Sequence, residues 1–163
     1  MKEAEIQTKF FKIIRSAEFA FEYPEAEWVH AIPNGARVSI GQAVKLKAQG
    51  LVSGVADVFV PLPSFSPIPN SKSNMWHVNY HGMYIEFKTR TGKPSKTQDA
   101  FAEHCHRHKY IYVICRDAVV AVEALRTYLE SYLMERKRKK SLAYAEKRKN
   151  TVEGQDFVIQ KYC

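Results

Sequence analysis

The sequence predicts an α/β fold, a small mixed central sheet flanked by helices. Three observations lead there. Apolar runs of strand length alternate with segments of helical periodicity, and turn residues separate them. The chain has 163 residues and 45% hydrophobic composition, enough for one compact core and hardly for two. The expected order is helix, strand, short helix, strand, strand, helix, strand, helix.

From Glu3 to about Phe21, the residues Ile6, Phe10, Ile13, Ile14 and Ala17 recur at helical spacing, with Lys9, Lys12 and Arg15 on the wetter side. This predicts one amphipathic opening helix. "EWVHAIPNG" predicts a short strand that ends in a turn at Pro33, Asn34 and Gly35, and "IGQAVKLKAQG" a short helix ended by a left-handed Gly50. "VADVFVPLP" is a strand stopped by prolines. Residues 61–81 hold four of the seven prolines and should form an irregular excursion, with "MWHVNY" as an extra strand or its edge. "GMYIEFKTR" is the next strand and "TGKPS" a turn. The helix that follows, "SKTQDAFAEHCHRHK", opens on Ser95 and Gln98 at capping-box spacing. "YIYVIC" is a strand, and "DAVVAVEALRTYLESYLMERKRKK" a helix with a basic end. After Lys140 the pattern weakens, leaving a segment that extends the helix or wraps around the body or a partner. The domain reading is a body over 1–134 with a proline-rich insert at 61–81, and a basic extension over 135–163.

A formal charge of +8, from 25 Lys and Arg against 17 Asp and Glu, favours a polyanionic partner, although solubility alone produces such a balance in many proteins. Cys105, Cys115 and Cys163 are odd in number and lack CxxC spacing, which argues against a disulfide framework or zinc knuckle and for a reducing, intracellular setting, cytoplasm or nucleoid. The first residues mix charge with apolar side chains, unlike a signal peptide, and no apolar run reaches membrane-spanning length.

Charge inside strand-like sequence is the informative feature. In "MYIEFKTR", Tyr84, Glu86 and Lys88 share one face, while Ile85 and Phe87 point into the opposite layer. If the strand carrying Asp57 is a neighbour, Asp57 and Glu86 can converge on a divalent cation, which offsets their mutual repulsion. Lys88 beside it could orient a water for attack on a phosphodiester. The alternative is a plain cross-strand charge pair between Lys88 and Glu86 or Asp57.

These residues carry a resemblance. "LKAQGLVSGVADVFVP", "YIEFKTRTGKPSKTQ", the early "EAEIQ" and the "PNG" turn, in that order over roughly positions 3 to 130, resemble the VRR-NUC family of the PD-(D/E)XK nuclease superfamily. The resemblance implies a restriction-endonuclease-like core. It implies that Asp57 and Glu86 bind Mg2+ or Mn2+, that the Phe87 carbonyl completes the shell, and that Lys88 is the motif lysine. An acid of the opening helix joins them, Glu5 before Glu3, and Gln98 matches a glutamine that positions substrate or water. Ala56 departs from the family's usual proline, so the turn before Asp57 is shaped without a fixed φ.

Each supporting residue has a plainer alternative. Glu5 suits a helix N-terminus, and Gln98 serves as the capping partner of Ser95. Asn34 and Gly35 make an ordinary turn; in a nuclease, His30 and Asn34 could face the DNA cleft. Gly54 relieves crowding before Asp57. His104 and His108 lie one turn apart, but His106 points elsewhere and no HExxH pattern is present, so a solvated helix surface is favoured over zinc. Lys45, Lys47, Arg90, Lys93 and Lys96 flank the proposed centre and could neutralise backbone phosphates. "ERKRKK" adds grip, a charge preference at a helix C-terminus, or solubility.

The implied function is a metal-dependent, structure-selective DNA endonuclease acting as a homodimer on branched DNA, four-way junctions first and flaps second. The competing readings are a noncatalytic nucleic-acid-binding module on a nuclease scaffold, an assembly protein whose basic tail meets a protein or RNA, and restriction-like cutting at a fixed sequence.

Overall fold

The computed structural model describes residues 1–33, 39–70 and 75–152, without the side chains of 147–152. Its elements are α1 (Glu3–Ile14), α2 (Ala17–Glu22), a 3-10 turn (Pro24–Trp28), β1 (His30–Ala31), α3 (Ile40–Ala48), β2 (Val58–Val60), β3 (Ser64–Pro67), β4 (Trp76–Tyr80), β5 (Gly82–Phe87), α4 (Lys96–Arg107), β6 (Tyr110–Cys115) and α5 (Ala118–Val152). The expected α/β architecture is present. A mixed sheet runs β1-β2-β5-β6, antiparallel except for the β5–β6 pair, and β3 with β4 forms a separate hairpin.

The parallel β5–β6 pair is possible because α4 provides the crossover that two parallel strands need. The core lies on the other face of the sheet, where Val58, Val60, Ile85 and Phe87 meet Ile6, Phe10 and Ile14 of α1 and Leu125 and Leu129 of α5. Alternate residues of β2 and of the end of β5, with helical spacing on α1 and α5, therefore describe one apolar layer.

Four expectations change. The opening helix breaks at Arg15 and Ser16: the Arg15 guanidinium donates to the carbonyls of Ala26, 2.6 Å, and Val29, 2.5 Å, and the Ser16 hydroxyl caps α2 at the Phe19 amide. The segment "EWVHAIPNG" keeps only two residues in β1, because Pro24 opens a 3-10 turn that runs to Trp28. The excursion at 61–81 contains an ordered hairpin, with Phe65 facing Val78 and Pro67 facing Trp76. Its prolines bracket β3 or end it, where a missing N–H costs little. The last helix continues to Val152, through residue 135, so the basic run lies inside α5 and not at its C-terminus. Gly50, at φ 96°, does end α3 in the left-handed region as expected.

The hairpin is fixed to α5 by hydrogen bonds and ring contacts. The Tyr128 hydroxyl donates to the Leu62 carbonyl at 2.6 Å in a buried setting, the Phe65 amide donates to the Ser131 hydroxyl at 3.4 Å, and the Phe65 ring meets Tyr132. Tyr128→Phe should therefore lower unfolding free energy by about 1–2 kcal/mol in urea titration, the cost of leaving a buried carbonyl unpaired. A change near zero would mean that water replaces the hydroxyl.

Candidate functional site

The β2–β5 register places Val58 opposite Ile85 and Phe59 opposite Tyr84, which brings Asp57 level with Glu86. Residues two apart share a face, so Asp57, Glu86 and Lys88 fall on the side of the sheet that carries Tyr84. Glu3, Gly54, Val55, Asp57, Glu86, Lys88, Ser95 and Gln98 line one cavity of about 210 Å3 there. Four stretches distant in sequence meet in it.

Each acid is held by a specific donor. Asp57 Oδ2 accepts the Phe87 amide at 2.8 Å, which ties the end of β2 to the end of β5. Glu86 is 1% exposed, and its Oε1 accepts Lys88 Nζ at 2.5 Å and Gln98 Nε2. Lys88 is itself fixed by its backbone, whose amide donates to the Cys115 carbonyl at 3.0 Å. Glu86 Oε2 is buried and has no hydrogen-bond partner among the described residues. Buried polar atoms are nearly always satisfied, so this oxygen marks a place for an additional group.

Electrostatics agree with that geometry. Burial pushes the Asp57 carboxyl above its ordinary 3.8, opposed by the Phe87 amide and by Lys88 and assisted by the charge of Glu3. Burial likewise pushes Glu86 above 4.5, opposed by its bond to Lys88, and the negative charge of Asp57 adds to the rise. Lysine compensation is therefore incomplete in the folded protein.

Gln98 closes the cap of α4 and also reaches a carboxylate of the cavity. Its Oε1 accepts the Ser95 amide at 2.9 Å and completes the capping box of α4, while its Nε2 reaches Glu86. Gly54, at φ 90°, lets the chain pass against α4: a Cβ there would lie 2.6 Å from the Thr97 carbonyl carbon and oxygen. With Ala56 in place of a proline, this close approach and the bond from the Ile32 amide to the Asp57 carbonyl, 2.7 Å, position the segment.

The expected order of the helix acids is reversed. Glu3 borders the cavity, 3.8 Å from Lys88 Nζ, and its Oε1 accepts the Thr89 amide at 3.3 Å. Glu5 turns back to accept the Lys2 amide at 3.0 Å in the capping box of α1. Helical spacing carried the signal: Glu3 precedes Ile6 by three positions and Phe10 by seven, on the buried stripe, whereas Glu5 falls off it.

Tyr112 and Arg116 were missed. The Tyr112 hydroxyl is buried without a hydrogen-bond partner among the described residues, and burial and then the charges of Glu86 and Asp57 push its ionisation upward. Nothing in "YIYVIC" distinguishes that tyrosine from Tyr110. Arg116 donates to the carbonyls of Thr89, 2.5 Å, and Gly92, 2.8 Å, bracing the loop after Lys88.

The candidate DNA contacts divide by place. Arg90, Lys93 and Lys96 are exposed around the turn between β5 and α4, next to the cavity. His30 is exposed on the same sheet face, its ring edge-on to Phe59 at 5.8 Å and its Nδ1 2.9 Å from the Trp28 carbonyl. Lys45 and Lys47 are exposed on α3 and do not line the cavity. Asn34 lies outside the described residues. In the basic run, Arg136 pairs with Glu25, and Arg138 and Lys139 pair with Glu135. The rings of His104 and His108 meet at a tilt of 41° with centroids 4.4 Å apart, and among the described residues no three His, Cys, Asp or Glu side chains are grouped closely enough to hold a metal ion by themselves.

Raised carboxyl values set the sign of a pH test. Because Asp57 and Glu86 titrate higher folded than unfolded, the stability they contribute is complete below their ordinary values and is lost as pH rises through the raised ones. Asp57→Asn, which still accepts the Phe87 amide, should melt above the native chain at neutral pH and converge with it in acid. Equal melting at neutral pH would show that Asp57 is not destabilised by burial.

No family model matches the chain, and no curated protein matches it significantly. A solved structure described as a "VRR_NUC domain protein" superposes with a TM-score of 0.57 at 19% identity, over 80% of this chain and 89% of that one. The two proteins thus share an overall fold, and the chain has a VRR-NUC fold.

Proposed function

We propose that the protein is a divalent-metal-dependent DNA endonuclease that hydrolyses phosphodiester bonds in branched DNA, four-way junctions first, as a homodimer. One observation carries this reading: two carboxylates, raised in pKa by burial, face each other across β2 and β5, and one buried oxygen, Glu86 Oε2, has no partner among the described residues. The pair with Lys88 occupies only Oε1 and leaves Oε2 open; a hard cation ligated by oxygen would fill that position and also offset the repulsion.

The donor set fits Mg2+ or Mn2+, held by Asp57, Glu86 and the Phe87 carbonyl, with Glu3 at the rim. Two close carboxylates with a third, Glu3, only at the rim are in keeping with Mg2+, which retains several waters. When bound, the cation supplies Lewis acidity toward a phosphoryl oxygen and a more acidic water. Lys88 offsets negative charge that develops on the phosphate and orients the attacking water. Gln98 keeps Glu86 Oε1 directed toward Lys88. Arg90, Lys93 and Lys96 neutralise backbone phosphates beside the cavity, with His30, Lys45 and Lys47 on outlying surface, which gives binding that weakens with salt.

Cleavage of matched four-way, flap, linear duplex and single-stranded DNA tests this reading, with Mg2+, Mn2+ or EDTA. Cutting should need metal, favour the four-way junction, and fall at least about 100-fold in Lys88→Ala. Folded, DNA-bound protein that cuts none of them in either metal would favour a noncatalytic binding module. The reversed helix acids give a second test: Glu3→Gln should slow cutting more than about tenfold, while Glu5→Gln, which keeps its cap, should leave the rate unchanged. Metal binding has its own readout, since Mg2+ at a hundred times its Kd should stabilise the native chain by about 2.7 kcal/mol and Asp57→Asn by far less.

A further inference from the structure

We infer that the free edge of β6 is the surface through which two copies of this chain join, by antiparallel pairing of β6 with its own copy about a two-fold axis at Tyr112. This locates the dimer proposed above, and it stands without the nuclease chemistry.

The argument starts from backbone direction. The His81 amide donates to the Lys109 carbonyl and the Lys88 amide to the Cys115 carbonyl, so odd-numbered residues of β6 turn their N–H and C=O groups toward β5. Tyr110, Tyr112 and Ile114 turn theirs outward. Because β6 is the last strand of the sheet, these three amides and three carbonyls have no hydrogen-bond partner among the described residues.

The strand is also undefended. Edge strands are usually blunted by shortness, charge, proline or a bulge. The opposite edge, β1, is two residues long. By contrast, β6 is six residues of "YIYVIC" with no charge, proline or glycine, and it pairs with β5 without a break in register. It is half-buried where β5 is almost wholly buried, and Ile114 is 39% exposed. On the core side, Ile111 and Val113 of the same strand line a cleft of about 350 Å3.

A second copy fits this edge because the outward set is odd in number and centred on Tyr112. Under a two-fold axis there, Tyr112 meets the partner's Tyr112 and Tyr110 meets the partner's Ile114. Opposed outward residues in an antiparallel pair exchange both of their hydrogen bonds, so every outward group on both copies is satisfied. The sheet becomes continuous across the pair, and both cavities open on the same face of it. A foreign extended segment would satisfy one copy's edge and leave its own outer edge open.

Sedimentation of the full chain over a dilution series, without DNA or metal, tests the interface separately from the nuclease reading. The native chain should sediment at twice 18.8 kDa and dissociate on dilution. Hydrogen exchange at Tyr110, Tyr112 and Ile114 should be slow in the dimer and fast after dilution. Ile114→Lys should weaken association more than about tenfold with an unchanged melting profile. Tyr112→Pro removes an outward N–H together with the tyrosine ring and should also weaken association; if that variant loses structure, Ile114→Lys decides alone. A monomer at every concentration, fast exchange of these amides in a dimer, or a dimer that Ile114→Lys leaves intact would overturn the inference.

Discussion

The structure is organised around an unfavourable juxtaposition: Asp57 and Glu86 lie level on adjacent strands, where burial opposes both charges. Packing alone would select against such a pair, so it persists because the ladder, the helix caps and the loop braces fix each member separately. The Phe87 amide holds Asp57, Lys88 and Gln98 hold Glu86, and Glu3 and Arg116 hold the loop that follows. Unfavourable charge placement maintained by a well-packed surround is characteristic of sites selected for chemistry over stability.

The division of labour between the two sheet faces makes this possible. On one face, Val58, Val60, Ile85 and Phe87 join α1 and α5 in a continuous apolar layer. That layer fixes the register of β2 against β5, and register decides which residues oppose one another on the other face. A one-residue slip would bury the charges in the core and expose the core to solvent. The apolar residues therefore position the acids without touching them.

This explains what the sequence made legible. The fold class, the capping box at Ser95 and Gln98, the left-handed Gly50 and the shared face of Glu86 and Lys88 depend on residues a few positions apart, and local spacing expresses them. The division of the first helix depended on Arg15 reaching Ala26 and Val29, a contact invisible in helical periodicity. The hairpin at β3 and β4 was masked by prolines, which signal irregularity by themselves and here only mark strand ends. The priority of Glu5 over Glu3 followed family position, while the buried stripe of α1 held the better information. Tyr112 and Arg116 act through tertiary placement, for which the sequence has no local sign.

The double duty of Gln98 couples motion to electrostatics. Helix N-termini fray, and the first turn of a helix commonly opens at far lower free energy than the whole domain. When α4 frays, the amide that closes its cap leaves Glu86 in the same event, and that carboxylate keeps only the lysine. The small population of frayed molecules thus has a different charge distribution in the cavity from the closed majority. A group that takes Glu86 Oε1 competes with helix closure, whereas one at Oε2 does not, and the breathing of one helical turn becomes part of the affinity at Oε1 alone.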